Sequence, residues 1–170
     1  MVSWPFTPMF QSINKNLNKL YKLSGFIAAF FLILVAVFIL IGISSRIFGF
    51  YIRGLAEYSG YCMAAASFYA LAFTFVEGGH IRITLFIEKA SSVYKRFLEI
   101  WCLIVASIFS SYLSFYLWKM LIISYDFKER SEGADEILIW IPQTSVAIGS
   151  LIFLIAVFHQ LILTILNKND

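Results

Sequence analysis

Four long stretches of this sequence carry no Asp, Glu, Lys or Arg side chain, although 14% of the whole chain is charged. They cover residues 23–45, 58–76, 100–118 and 142–166. A helix rises 1.5 Å per residue, so about 20 apolar residues cross the roughly 30 Å hydrocarbon core of a bilayer. A soluble domain usually carries about a quarter charged residues. The chain is therefore predicted to be an all-α integral membrane protein.

The predicted fold has four transmembrane helices, at about residues 23–45, 56–76, 100–123 and 142–166, forming one domain over residues 23–170. Residues 1–22 form an N-terminal interfacial segment. From Phe10 its apolar residues recur at steps of three and four with lysines between them, which is typical of an amphipathic helix on a membrane surface. The alternative is a helical extension of the first span.

A second amphipathic helix is predicted before span three, at about residues 81–98. Its charges lie largely off an apolar stripe, and each would cost about 2.5–3.5 kcal/mol at the bilayer centre. Just before it, Gly78 and Gly79 are predicted to end the helix of span two, because glycine tolerates the positive φ of a helix cap. Within span two, Gly60 and Ala64 favour close helix packing, either inside this chain or against another subunit.

The distribution of basic residues predicts the orientation in the membrane. One side holds eight of them and the other holds five. The eight are Lys15, Lys19, Lys22, Arg82, Lys89, Lys95, Arg96 and Lys168, and the five are Arg46, Arg53, Lys119, Lys128 and Arg130. The positive-inside rule therefore places both termini in the cytoplasm. The bases are not clustered as a nucleic-acid-binding face requires.

Neither a phosphate-binding loop nor metal-ligand spacing is visible, and every acidic or basic residue lies at a span end or in a loop. A transporter acting alone would need ionisable groups near the middle of the membrane. A small multidrug-type exporter would need a carboxylate there. The two histidines, His80 and His159, leave one alternative open, which is a haem-b-binding membrane anchor of a respiratory enzyme with two axial histidines.

Several residues occur in an order that carries a family resemblance. Arg46 follows span one, Glu57 opens span two, Gly79-His80-Ile81-Arg82-Ile83 with Leu85 follows span two, and Ile141-Pro142 precedes span four. Over about residues 23–166 the chain resembles the small membrane subunit, of the DctQ type, of tripartite ATP-independent periplasmic (TRAP) transporters. It departs from the family at Thr84, where an aspartate is often found.

The resemblance implies a subunit without catalytic, cofactor-binding or metal-binding residues, in the bacterial inner (cytoplasmic) membrane. Its partners would be a large, mobile membrane subunit that carries substrate and sodium, a periplasmic solute-binding protein that delivers an organic acid, and membrane lipids. The small subunit would enlarge the static scaffold, with sodium coupling on the large subunit. The candidate contacts to partner or lipid are Arg46, Glu57, Gly79, His80, Arg82 and Pro142.

Overall fold

A computed structural model describes the backbone of residues 8–87, 92–134 and 136–166, and the side chains of residues 13–78, 94, 96–134 and 136–166. Over these ranges the chain folds into four helices: α1 (Pro8–Ile47), α2 (Leu55–Ile87), α3 (Ser92–Asp126) and α4 (Trp140–Leu166). Each predicted span lies inside one of them. All four are long and apolar enough to cross a membrane, which confirms the predicted fold class.

The packing of the helices departs from chain order at one place, because α2 lies beside α4 and not beside α3. α1 packs on α2, α2 packs on α4, and α4 packs on α3, so the spatial order is α1–α2–α4–α3. A core of buried side chains joins α1, α2 and α4. It consists of Tyr21 and Ala28 from α1, Tyr69 and Ala72 from α2, and Ile152 and Ala156 from α4. The starts of α1 and α3 and the ends of α2 and α4 lie at one end of the bundle, called here the terminal end; the other is the far end.

Neither predicted interfacial helix is separate from the spans in the described residues. The segment before span one is the first part of α1, which runs unbroken from Pro8, as the alternative reading had it. The prediction that Gly78 and Gly79 end a helix is wrong, because α2 continues through them to Ile87. Glycine permits a cap without enforcing one, and two glycines cost about 1 kcal/mol each inside a helix, which a long apolar helix tolerates.

A different glycine ends a helix. Gly49 has φ of 75°, the Phe50 N–H donates to the Ser45 carbonyl, and the Gly49 N–H donates to the Arg46 carbonyl. These two bonds form a Schellman cap. The same bonds end α3 at Lys128, which has φ of 50°: Glu129 N–H to Ser124 O and Lys128 N–H to Tyr125 O. α3 thus ends in a left-handed conformation without glycine.

Serines line the contact between α3 and α4, but their hydroxyls do not bridge the two helices. Ser107 and Ser110 are buried on α3 and Ser150 on α4. Ser107 donates to the Leu103 carbonyl at 2.7 Å, and Ser150 donates to the Ala147 carbonyl at 2.8 Å. The serines therefore serve mainly as small residues that let two helices approach closely.

α2 and α4 approach each other closely at Gly149. A Cβ atom there would lie 2.8 Å from Cβ of Phe68 and 3.2 Å from the backbone nitrogen of Tyr69. By contrast, a Cβ atom at Gly60 would meet nothing within 4 Å among the described residues. Packing inside the described part of this chain therefore does not require a glycine at position 60.

We expect Gly149→Val to destabilise the isolated chain by roughly 1–3 kcal/mol, because overpacking forces the two backbones apart. Thermal unfolding in detergent measures this effect. Gly60→Val is the matched control, and it should stay within about 0.5 kcal/mol of the unchanged protein. Equal unfolding temperatures for the two variants would contradict the close approach of α2 and α4.

Candidate functional site

The six candidate contact residues separate into two groups. Arg46 lies in the last turn of α1, Glu57 in the first turn of α2 and Pro142 in the first turn of α4. These three belong to the far end of the bundle. Gly79, His80 and Arg82 lie in the last turns of α2, towards the terminal end, and their side chains are outside the described residues. The structure therefore does not bring all six together.

At the far end, the connection between α3 and α4 folds back on itself. The Ser131 N–H donates to the Ile137 carbonyl at 2.8 Å, and the Ile139 N–H donates to the Glu129 carbonyl at 3.0 Å. An antiparallel β-bridge pairs Arg130 with Leu138. These contacts give residues 129–134 and 136–139, called here the outer loop, a defined shape.

Two side chains at the start of α2 hold the outer loop. The Ala134 N–H donates to Oε1 of Glu57 at 3.2 Å, and the Tyr61 hydroxyl lies 3.0 Å from Oγ of Ser131. A weaker ion pair joins Arg53 to Glu136 at 4.0 Å, with both side chains largely exposed. Glu57 thus has a partner within this chain: it fixes the outer loop against α2.

At the terminal end, a polar cluster joins α1 to α4. Nε2 of His159 lies 2.8 Å from Oδ1 of Asn14, and Nδ1 of His159 lies 3.2 Å from the Tyr21 hydroxyl. A neutral imidazole with its proton on Nε2 satisfies both contacts, because it donates to the amide oxygen and accepts from the phenol. The Tyr21 side chain is almost fully buried, at 1% exposure.

This cluster bears on the haem alternative. An axial histidine needs one ring nitrogen for the iron, and both ring nitrogens of His159 already bond to protein groups. Binding haem there would leave Tyr21 or Asn14 without its partner in a buried place. His80 stays a candidate from the sequence alone. The geometry of His159 is that of a residue that holds two helices together.

The cavity between α2, α3 and α4 is poorly suited to an anionic solute. A space of about 640 Å³ opens between α2, α3 and α4, lined mainly by apolar side chains that include Phe75, Leu103 and Phe153. Its charged lining residue is Glu77, near the terminal end. A carboxylate at that place would repel an organic acid. Among the described residues there is also no group of three or more His, Cys, Asp or Glu side chains that could hold a metal ion.

Comparison with known proteins decides the family. Residues 34–167 match the family model for tripartite ATP-independent periplasmic transporters, DctQ component. The chain belongs to the DctQ family. It is therefore a multi-pass membrane protein and the small permease component of a TRAP transporter, as the resemblance implied. No curated protein and no solved structure matches it.

The residues matched by the DctQ family model include the far end and most of the bundle. Arg46, Glu57, the Gly79–Arg82 stretch and Pro142 all fall within the matched residues. The segment before residue 34 does not, and that segment supplies Asn14 and Tyr21. Sequence reasoning noticed His159 but missed both of its partners, because residues 138 and 145 positions apart leave no local signal.

The polar cluster predicts a coupled loss of stability. His159→Phe should destabilise the chain by about 1–3 kcal/mol, because two hydrogen bonds are lost and two polar groups are left unpaired. Thermal unfolding in detergent measures it. Tyr21→Phe should cost less in the His159→Phe background than alone, since the shared bond is already gone. Strictly additive effects would count against the cluster.

Glu57 predicts a local effect at the outer loop. Glu57→Ala should speed hydrogen–deuterium exchange of the Ala134 amide by about tenfold, because a hydrogen bond to a carboxylate contributes about 1.5–3 kcal/mol and this one is partly solvated. Glu57→Gln should give an intermediate rate, since it keeps an acceptor oxygen. Glu132→Ala in the same loop is the control, and equal exchange at Ala134 in both alanine variants would exclude the role of Glu57.

Proposed function

We propose that this chain is the static scaffold subunit of a sodium-driven organic-acid importer. The large membrane subunit carries the substrate and sodium, and a periplasmic binding protein delivers the substrate. The chain itself holds no cofactor. It resides in the bacterial inner membrane with both termini in the cytoplasm, as the excess of bases on that side favours.

The proposal rests on the positions of the charged side chains and on the hydrogen-bond partners of the buried polar side chains. In the described parts of the spans, Asp, Glu, Lys and Arg occur only towards helix ends. Apart from Nε1 of Trp118 and Oε1 of Gln143, which have no hydrogen-bond partner among the described residues, the buried side-chain polar groups bond to another helix, to their own helix or to the outer loop, as at His159, Ser107 and Ser124. A carrier needs polar groups that are free to exchange partners with its cargo, whereas a scaffold needs them satisfied.

The face of α2 around Gly60 is the proposed contact with the large subunit. The Cβ position of Gly60 is open, and Met63, one turn further along, is largely exposed. Ala64 continues the small-residue pattern. Small residues permit close approach between helices in lipid, where association depends on packing. Because nothing in the described part of this chain covers Gly60, a second subunit accounts for the pattern.

Uptake into proteoliposomes tests the scaffold role. The proposed large membrane subunit and binding protein are combined with this chain under a sodium gradient, and each component is then omitted in turn. We expect sodium-driven accumulation of an organic acid with all three components and none with this chain alone. Sodium-driven uptake by this chain alone would refute the proposal.

The same preparation tests the contact face. Gly60→Trp should reduce co-purification of the large subunit severalfold, since a large side chain blocks close approach. Ile33→Trp, at an exposed position of α1, is the matched control and should leave co-purification unchanged. Co-purification of the Gly60→Trp variant at the unchanged yield would place the contact elsewhere.

A further inference from the structure

Three lysines form one exposed face at the start of α1. Lys15, Lys19 and Lys22 follow one another at steps of four and three, which brings them to the same side of a helix. All three are exposed, and among the described residues no carboxylate forms an ion pair with any of them. This set is called here the lysine face.

The opposite side of the same segment is fixed to the bundle. Asn14 and Tyr21 bond to His159, and Leu17 packs against the core cluster. At 3.6 residues per turn, the lysine face lies about 140° around the helix from these residues. Lys15 and Lys19 therefore point away from the bundle, whereas Lys22 lies at its edge and lines a space with Phe73 and Glu77 of α2.

The lysine face continues into the membrane as an apolar stripe. Phe26, Phe30, Ile33 and Val37 follow Lys22 at steps of four, four, three and four, on the same side of α1. Their side chains are exposed, with Phe26 at 75% and Ile33 at 62%. One side of α1 thus presents cations at the terminal end of the bundle and large apolar side chains over the next four turns.

A shallow, open recess at the cationic end is formed by residues of α1 alone. It measures about 450 Å³ and is lined by Asn14, Asn18 and the three lysines. Amide and ammonium groups are donors that phosphate oxygens accept from. A soluble anion would use the recess alone, whereas a phospholipid would use the recess and the apolar stripe together.

We propose that the lysine face and the stripe below it form a binding site for an anionic phospholipid. The lysines and Asn18 bind the headgroup phosphate, and the acyl chains lie along Phe26, Phe30 and Ile33. Three cations without described partners favour a net negative headgroup over a zwitterionic one. The lysine face lies outside the residues matched by the family model, which begin at 34, and the site does not depend on the proposed scaffold role.

Native mass spectrometry of the full chain, purified in detergent, tests the site. Dioleoylphosphatidylglycerol and dioleoylphosphatidylcholine are added in parallel, and the ratio of their bound fractions is measured. A lysine near an anionic lipid surface contributes about a fivefold change in affinity. Replacing all three lysines by glutamine should lower the phosphatidylglycerol preference at least about tenfold, and replacing them by arginine should preserve it.

Controls separate this site from general charge effects. A variant with Arg53, Lys119 and Lys128 replaced by glutamine loses the same charge at the far end and should keep the preference. The unchanged protein should lose much of its preference as salt rises, because salt screens exposed charges; this measurement needs no variant. Circular dichroism checks that each variant keeps its helices.

Four results would overturn the proposal. The first is equal binding of the two lipids by the unchanged protein, and the second is an unchanged preference in the triple-glutamine variant. The third is competition by inorganic phosphate at matched ionic strength, which would indicate a site for the free anion. The fourth is a change in oligomeric state of the triple-glutamine variant, which would indicate that a second copy of the chain covers this face.

Discussion

The packing of this bundle depends on satisfying most buried polar groups without water; Nε1 of Trp118 and Oε1 of Gln143 are the buried side-chain atoms without a partner in the described residues. In the hydrocarbon core an unpaired backbone or side-chain polar group costs several kcal/mol. Long helices meet that demand for the backbone, and the buried serines meet it by donating to carbonyls of their own helix. His159 meets it with one bond from each ring nitrogen. Because these groups are satisfied inside the chain, they hold helices in place and do not serve a solute.

The sequence was sufficient for the number of membrane spans, and each predicted span lies inside one helix. A span is a local property, since about 20 uncharged residues in a row decide it. The starts of α2 and α4 were also readable, because Glu57 and Pro142 are residue types suited to a first helical turn. The family followed from the order of short motifs, and the family match covers all of them.

The arrangement of the helices was not readable from the sequence. Placing α4 beside α2 depends on Gly149 meeting Phe68, and placing α4 beside α1 depends on His159 meeting Asn14. These partners are far apart in the chain. Local rules also failed at turns: Gly78 and Gly79 suggested a cap that did not form, whereas Lys128 ends α3 in a conformation that glycine usually adopts. In both places the surrounding structure outweighed local preference.

The spatial order α1–α2–α4–α3 has a mechanical consequence. α4 is held against its neighbours at three positions along its length. His159 bonds to α1 at the terminal end, and Gly149 packs against Phe68 near the middle. At the far end, Glu57 bonds to the outer loop that leads into α4. Tilting α4 away from α1 and α2 would disturb all three of these contacts together. α3 is joined to this block mainly through its contact with α4 and through Arg96, whose guanidinium lies 3.5 Å from the Thr164 carbonyl. A displacement of α4 would therefore be transmitted to α1, α2 and α3 together, because α4 contacts all three.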